Sequence, residues 1–453
     1  MTKRFTVFSL CLFMLLSAVT VQAQTSAKAN PAVNGAYTLE RCVQRALEAN
    51  PTILAAKSQI QGADYGTKSA RGDFLPSVTA GYDYKTYNRE QSGGIKDGLT
   101  AEHGKSSYTG SIVVTQPIFK GFSLLNNYQK QKLTKKRQEA NLNNVELVVI
   151  QDVQTNFLAL LKARMDVKSA EDSVERLRSQ LKVNTAFYDV GLKPRVDVLQ
   201  AEVELATAEQ DLLKARNAVS TQTAKLNSLL NLPLTADINY VGDLQYDPFN
   251  LTLRQCLDRA YEFRPDLKIG EKAVEIAAKD AGIASSSFMP SVDGTVTYTK
   301  NSDEPGLQDE GYLTHESSET LTAGVSATWT VWQWGADYYD YKRTDEVVTQ
   351  LEAELEDIRL NAGFEVKQAL LSIREASDRI GVARKSVESA KESYRMALAR
   401  YQAQVGTNND VLDAQSRVTS SEAQLIEALA DYNTAVANLY VAMGEKNPSL
   451  EVE

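Results

Sequence analysis

Asp410 and Asp413 stand one helical turn apart, just after a glycine turn at Val405-Gly406-Thr407. Asp197 follows a second such turn, Val190-Gly191-Leu192. Residues three apart on a helix share a face. Repeated around a symmetry axis, Asp410 and Asp413 would form stacked rings of carboxylates, which concentrate cations and repel anions. Helix N-capping is the other reading of Asp197 and Asp410, because aspartate at a helix start accepts backbone N–H bonds and complements the dipole; it explains Asp413 less well. Little else offers chemistry. His103 and His315 fall in loops between expected strands, with no second histidine at ligand spacing. No metal, cofactor or catalytic residue is expected, and the chain does not read as an enzyme. Cys42 and Cys256 each follow a Thr-Leu pair and read as small buried side chains, with a disulfide between them left open.

Residues 1–23 read as a secretory signal: Lys3 and Arg4, an apolar stretch from Phe5 to Val19, and small residues at Val21-Gln22-Ala23. Cys11 lies inside the apolar stretch, so no lipidation site follows it. Removing this segment takes the formal charge from −9 to −11. An acidic exported chain lacks the cationic footprint that a nucleic acid needs. After residue 23 no apolar run reaches the roughly 18 residues of a spanning helix. If the chain crosses a membrane, it does so as β-strands.

The elements that must position the turns are written twice. Phe74-Leu75-Pro76-Ser77-Val78 returns 214 positions later as Phe288-Met289-Pro290-Ser291-Val292, and Lys120-Gly121 as Trp334-Gly335. Further on, Asp197-Val198-Leu199 returns 213 positions later as Asp410-Val411-Leu412. A first repeat is expected over 24–230 and a second over 252–443, with 231–251 as linker and 444–453 as a tail. Each repeat has a helix of about 34 residues, two strands, a very long helix, a tight turn and a last helix. Expected strands are 74–87, 106–119, 288–300 and 319–334.

Val78, Ala80, Tyr82 and Tyr84 alternate with polar residues, as do Leu321, Ala323, Val325, Ala327 and Trp329. Apolar-out, polar-in alternation suits a lipid-facing barrel, although a sandwich with one wet face would read the same way. Number decides: about eight strands are the least that close around packed side chains, so four cannot, whereas three copies supply twelve. The long helices carry a heptad. Ala362, Val366, Ala369, Ile373 and their successors through Tyr401 are apolar, whereas the first repeat places Asn156 and Asn184 among its apolar seam residues. An ordinary coiled-coil rod would show the same heptad. Lengths argue against a rod, since the two shorter helices of each repeat together match the long one. Each repeat can therefore form two columns of equal height.

In this order, twice, the motifs resemble the TolC family of outer-membrane efflux and secretion channels. They are Tyr37-Thr38-Leu39 with Asn50-Pro51, Leu75-Pro76, Thr115-Gln116-Pro117-Ile118-Phe119-Lys120-Gly121, Trp332-Gln333-Trp334-Gly335 and the two turns. The resemblance covers essentially the whole chain after the signal. It implies a mainly α protein with a β membrane barrel: a homotrimer whose twelve-stranded barrel continues into an α-barrel tunnel of twelve helix columns. It implies an exit duct of a tripartite efflux pump or type I secretion system, passive and opened by docking of a periplasmic adaptor that links it to an inner-membrane transporter. The expected place is the outer membrane of a Gram-negative bacterium, in contact with its lipid. Val190, Gly191, Leu192, Val405, Gly406 and Thr407 then become the adaptor-contact turns, and Asp197, Asp410 and Asp413 the periplasmic gate or cation ring. The family's arginine after the Gly-Thr step is Asn408 here and its tyrosine is Ala403, which implies a different set of gate bonds. The competing readings are a periplasmic adaptor and a structural coiled-coil protein of the envelope. Neither predicts a whole-chain duplication with matched hairpins.

Overall fold

The computed structural model describes residues 36–87, 106–302, 307 and 318–447. The expected signal segment, His103, His315 and residues 448–453 of the expected tail lie outside these. The first repeat runs α1 (Leu39–Ala49), α2 (Pro51–Gly72), β1 (Ser77–Thr86), β2 (Ser106–Lys120), α3 (Ser123–Asp189) and α4 (Arg195–Leu229). The second runs α5 (Leu253–Phe263), α6 (Pro265–Ala284), a 3₁₀ turn (Ser285–Phe288), β3 (Ser291–Ser302), β4 (Ser318–Thr328), α7 (Ala336–Gln402) and α8 (Asn408–Ala442).

The opening helix of each repeat, expected as one piece, is broken. Asn50 is extended (φ −67°, ψ 127°) because Pro51 follows it, and a residue before proline is pushed out of the helical region. Its side chain repairs the break: Oδ1 accepts from Thr52 N at 2.9 Å, and Nδ2 donates to Leu229 O at 3.1 Å. In the second repeat Arg264 precedes Pro265 in the same conformation. Its guanidinium bonds Ala442 O (3.1 Å), Glu365 (2.7 Å) and Asp266 (2.6 and 3.0 Å). Each junction thus ties the start of one helix to the end of another, so that α2 continues the column of α4 and α6 that of α8.

The long helices α3 and α7 are 67 residues each, about 100 Å at 1.5 Å per residue. Of the twelve heptad positions from Ala362 to Tyr401, eight are buried and four half-buried. On one side α3 packs against α2 and α4, and on the other against α6 and α8; α7 packs on α6 and α8. Four columns result, with α4/α2 and α7 on the outside. Residues 231–251 strap one face: Tyr432 Oη donates to Asp247 O (2.6 Å), Asn433 Nδ2 to Gln245 O (2.9 Å), and Arg164 to Tyr240 O. No described helix is long and apolar enough to cross a membrane.

The strands form one antiparallel sheet, β1-β2-β3-β4. Strands expected from 74 and 288 start at Ser77 and Ser291, because a turn and a 3₁₀ turn precede the two prolines. The second strand runs to Lys120 and the third to Ser302, each slightly past expectation. The fourth, expected to 334, stops at Thr328. Its partner among the described residues, β3, begins opposite it at Ser291, so no described residue lies beside 329–334 to pair with them.

Helix entry after each hairpin corrects the repeat alignment. Two successive left-handed residues lead into α3 and α7: Gly121 (φ 58°) and Phe122 (67°), then Trp334 (54°) and Gly335 (81°). Structurally Gly121 therefore matches Trp334, a shift of 213 rather than 214. Glycine is needed at 121, where a Cβ would lie 2.6 Å from Ser286 O.

Candidate functional site at the helical tip

The turns joining α3 to α4 and α7 to α8 lie side by side at the end opposite the sheet. In the first, Gly191 is left-handed (φ 74°), with Gly191 N bonding Tyr188 O and Leu192 N bonding Phe187 O. The second repeats this pattern with Gln404 (φ 63°) as the left-handed residue, Gln404 N bonding Tyr401 O and Val405 N bonding Arg400 O. The expected pairing of Val190-Gly191-Leu192 with Val405-Gly406-Thr407 is therefore corrected: the counterpart is Ala403-Gln404-Val405. Gly406 is not the reversing residue. A Cβ there would come 3.1 Å from Tyr401 N, so it serves a close approach. Val190, Leu192 and Val405 are all exposed apolar side chains on this tip.

Between the turns sits a buried cluster of amides. Asn408 Oδ1 accepts from Asn184 Nδ2 (2.9 Å) and Gln180 Nε2 (3.3 Å). Asn408 Nδ2 donates to Gln200 Oε1 (3.2 Å) and Asp197 O (3.4 Å), and Asn184 Nδ2 also donates to Asp197 O (2.9 Å). Gln180, Asn184 and Asn408 are at most 3% exposed. Asp197 thus enters through its main-chain carbonyl. Its carboxylate lies beside Tyr401, whose phenol is pushed up to about 12 by burial and by that negative charge. Lys193 stands over the Tyr401 ring (5.0 Å) and donates to Gly406 O (3.4 Å). Higher up, Glu422 of α8 takes Lys391 of α7 (2.8 Å), Arg176 of α3 (3.4 Å) and the Ser169 hydroxyl (3.1 Å). The gate expectation missed this cluster. One signal was visible, because Asn184 is a polar residue at an apolar heptad position.

Asp410 is the third helical residue of α8 and closes a capping box: Thr407 N donates to its carboxylate (3.0 Å) and Thr407 Oγ1 accepts Asp410 N (3.2 Å). Those Thr407 bonds hold the Asp410 carboxyl below its ordinary range. The cap bond forms for Asp410 but not for Asp197: Pro194 stands at that helix's N-cap with no side-chain cap bond, and Asp197 only places its charge in the first turn. Asp410 and the exposed Asp413 line one groove between α7 and α8, together with Arg400 and Arg417. Asp410, Arg417, Gln424, Asp431 and Asn438 recur every seven residues, so they share a stripe. The linker strap lies off this stripe, at Tyr432 and Asn433. Cys42 and Cys256 are free and buried, and burial pushes the Cys42 thiol up to about 12. Among the described residues no group of three potential ligands could hold a metal.

Duplicated helix columns ending in a four-stranded sheet, with no strand beyond β1 or β4 among the described residues, define the class: a helical-column protein capped by an open antiparallel sheet. The particular family follows from comparison with known proteins. The sequence matches the family described as outer membrane efflux protein over residues 42–232 and 256–445, and the chain belongs to that family. It is 22% identical to the outer membrane protein TolC of Escherichia coli K12, over 91% of this chain and 83% of that one. It is 21% identical to the probable efflux pump outer membrane protein TtgC of Pseudomonas putida KT2440, over 90% of this chain and 82% of that one. The solved structure of the outer-membrane channel OprN shares the fold, with a TM-score of 0.76 at 17% identity and 90% of both chains covered.

Proposed function

We propose that three copies of this chain form one passive exit duct in the outer membrane of a Gram-negative bacterium, serving an efflux or secretion system. The observation that carries this is the pair of bare sheet edges. Among the described residues β1 and β4 each lack a neighbour on one side, and Val78, Tyr82, Tyr84, Leu321 and Val325 are exposed on them. Lipid offers no hydrogen bonds to open edges, and four strands cannot close on themselves. The outer columns tell the same story below, where Leu199 and Val203 of α4 and Leu360 and Phe364 of α7 are exposed. Three copies join these edges into twelve strands above a tunnel of twelve columns. Within that tube the strap faces outward and the stripe from Asp410 to Asn438 faces the lumen.

The exposed Val190, Leu192 and Val405, with Gly191, Gly406 and Thr407, form the surface that meets a periplasmic adaptor and, through it, an inner-membrane transporter. Asp410 and Asp413 make the cation ring near the entrance, tempered by Arg400 and Arg417, and Asp197 belongs to the intraprotomer closure. The family is one of channels, and the duct itself makes and breaks no bonds. Two measurements test this reading. Detergent-extracted protein has the mass of three chains, whereas a monomer soluble without amphiphile ends the proposal. Asp410→Asn with Asp413→Asn lowers the cation-to-anion permeability ratio in planar bilayers several-fold, and an unchanged ratio removes these residues from the ring.

A further inference from the structure

We infer that β4 of one copy pairs with β1 of the next in the register that β2 and β3 already show within the chain. On this pairing 329–333 complete β4 only when that neighbour is present. The inference rests on the trimeric reading and adds to it a residue-by-residue seam.

Duplication makes the β2–β3 junction an internal copy of the missing one, since β2 corresponds to β4 and β3 to β1. The correspondence is fixed by contacts, not by sequence matching. Ser77 Oγ donates to Thr115 O, as Ser291 Oγ does to Thr328 O. Gln116 Nε2 donates to Phe74 O, as Trp329 Nε1 does to Phe288 O. So β1 maps to β3 by 214 positions and β2 to β4 by 213.

Within the chain Val113 faces Thr297, Val114 faces Val296 and Pro117 faces Asp293; a bulge at Ile118 then brings Phe119 opposite Val292. Transferred across copies, Ser326 faces Asp83, Ala327 faces Tyr82 and Thr330 faces Thr79. The bulge falls on Val331 and brings Trp332 opposite Val78.

Side-chain alternation, which played no part in the transfer, agrees with it over the central stretch. Paired residues share a face, and from Val325 opposite Tyr84 to Trp332 opposite Val78 polar meets polar and apolar meets apolar; only the far end, where Ala323 faces Thr86, departs from this. A slip of one residue would set Ala327 against Asp83 and reverse every face. Without the bulge Trp332 would leave the side of Val78, because an extra residue flips the alternation beyond it. β1 and β4 are exposed along their whole lengths, whereas β2 and β3 are largely half-buried.

A slip of two would preserve the faces, so cross-linking must separate the registers. In the full-length chain purified in detergent, two in-register pairs, Asp83→Cys with Ser326→Cys and Thr79→Cys with Thr330→Cys, are compared with the offset pair Asp83→Cys with Thr328→Cys. Cys42 and Cys256 are buried and do not compete, and Cys11 belongs to the expected signal segment. On oxidation the in-register pairs give covalent dimers and trimers in at least about five-fold higher yield than the offset pair. Stronger cross-linking of the offset pair overturns the register, as does failure of both in-register pairs in a sample that is trimeric by mass. A monomeric sample instead overturns the trimeric reading, and this inference with it.

Discussion

At the scale of single residues the tip is held by groups that do not titrate. Asn408 is the hub, with two acceptances and two donations inside a site it shares with Gln180, Asn184, Gln200 and the Asp197 carbonyl. Asn408→Ala strands those partners in a buried place and costs about 1–3 kcal/mol, the usual penalty for orphaned buried polar groups. Without it the α3–α8 seam can part as well as the weaker seam between copies, seen as a higher mean single-channel conductance than wild type at the same voltage; unchanged conductance means that Asn408 does not hold that seam. Asn408→Asp is the sharper probe. Burial raises the pKa of the new acid. Protonated, it can both donate and accept as the amide does; ionised, it has no proton for the Asp197 carbonyl and the Gln200 Oε1 that Asn408 Nδ2 serves. The variant is therefore closed at low pH and loosens as pH rises through its raised pKa, whereas the wild-type clasp holds steadily from about pH 5 to 8.

Elements were legible where one physical rule dominated. Sustained heptads placed the ends of α3 and α7 within a residue or so, and the apolar/polar alternation marked the first and fourth strands, with the repeat supplying the other two. The rest depended on contacts that no local pattern encodes. The break at Asn50 could be suspected from Pro51, but its purpose is a bond to Leu229 O far along the chain. β4 ends opposite the first residue of β3, a property of the partner and not of residues 329–334. The tip amides are scattered over three helices, and only Asn184 stood out as polar within a seam. The paired junctions give a prediction of their own. Asn50 and Arg264 hold equivalent places, one with an amide and the other with a largely buried guanidinium. Arg264→Ala removes the bond to Ala442 O and leaves Asp266 and Glu365 without their cation, costing about 2 kcal/mol. Arg264→Asn copies the first repeat's solution, restores the Ala442 bond and recovers a good part of that loss. Denaturant or thermal melts of the three proteins check the order; if the asparagine variant is no better than the alanine one, the two junctions are not interchangeable.

Across the whole molecule the duplication creates two kinds of seam that look alike in outline and differ in strength. Inside one copy, α3 meets α8 through the amide cluster and through Glu422 with Arg176 and Ser169. In the proposed trimer the equivalent seam joins α7 to α4 of the next copy, and a shift of 213 shows what stands there. Gln180, Asn184 and Arg176 of α3 become Ser393, Ala397 and Ser389 of α7, while Asn408 becomes Arg195. No amide clasp can be assembled from those residues, and Glu209, which replaces Glu422, already pairs with Arg178 of its own chain. The weaker seam parts first when the tip dilates, so each copy's four columns move as one body and the entrance widens between copies. Two tethers distinguish the seams. Ser173 and Thr419 have hydroxyls 3.4 Å apart within one copy, close enough for a disulfide once both are cysteine. Ser386 and Ala206 are their counterparts across copies. The tether within a copy leaves substrate export at the wild-type rate, whereas the tether between copies blocks it until reductant is added. Export blocked by the Ser173→Cys, Thr419→Cys tether and restored by reduction would place the hinge inside the protomer, because only motion between α3 and α8 is stopped by a bond joining them.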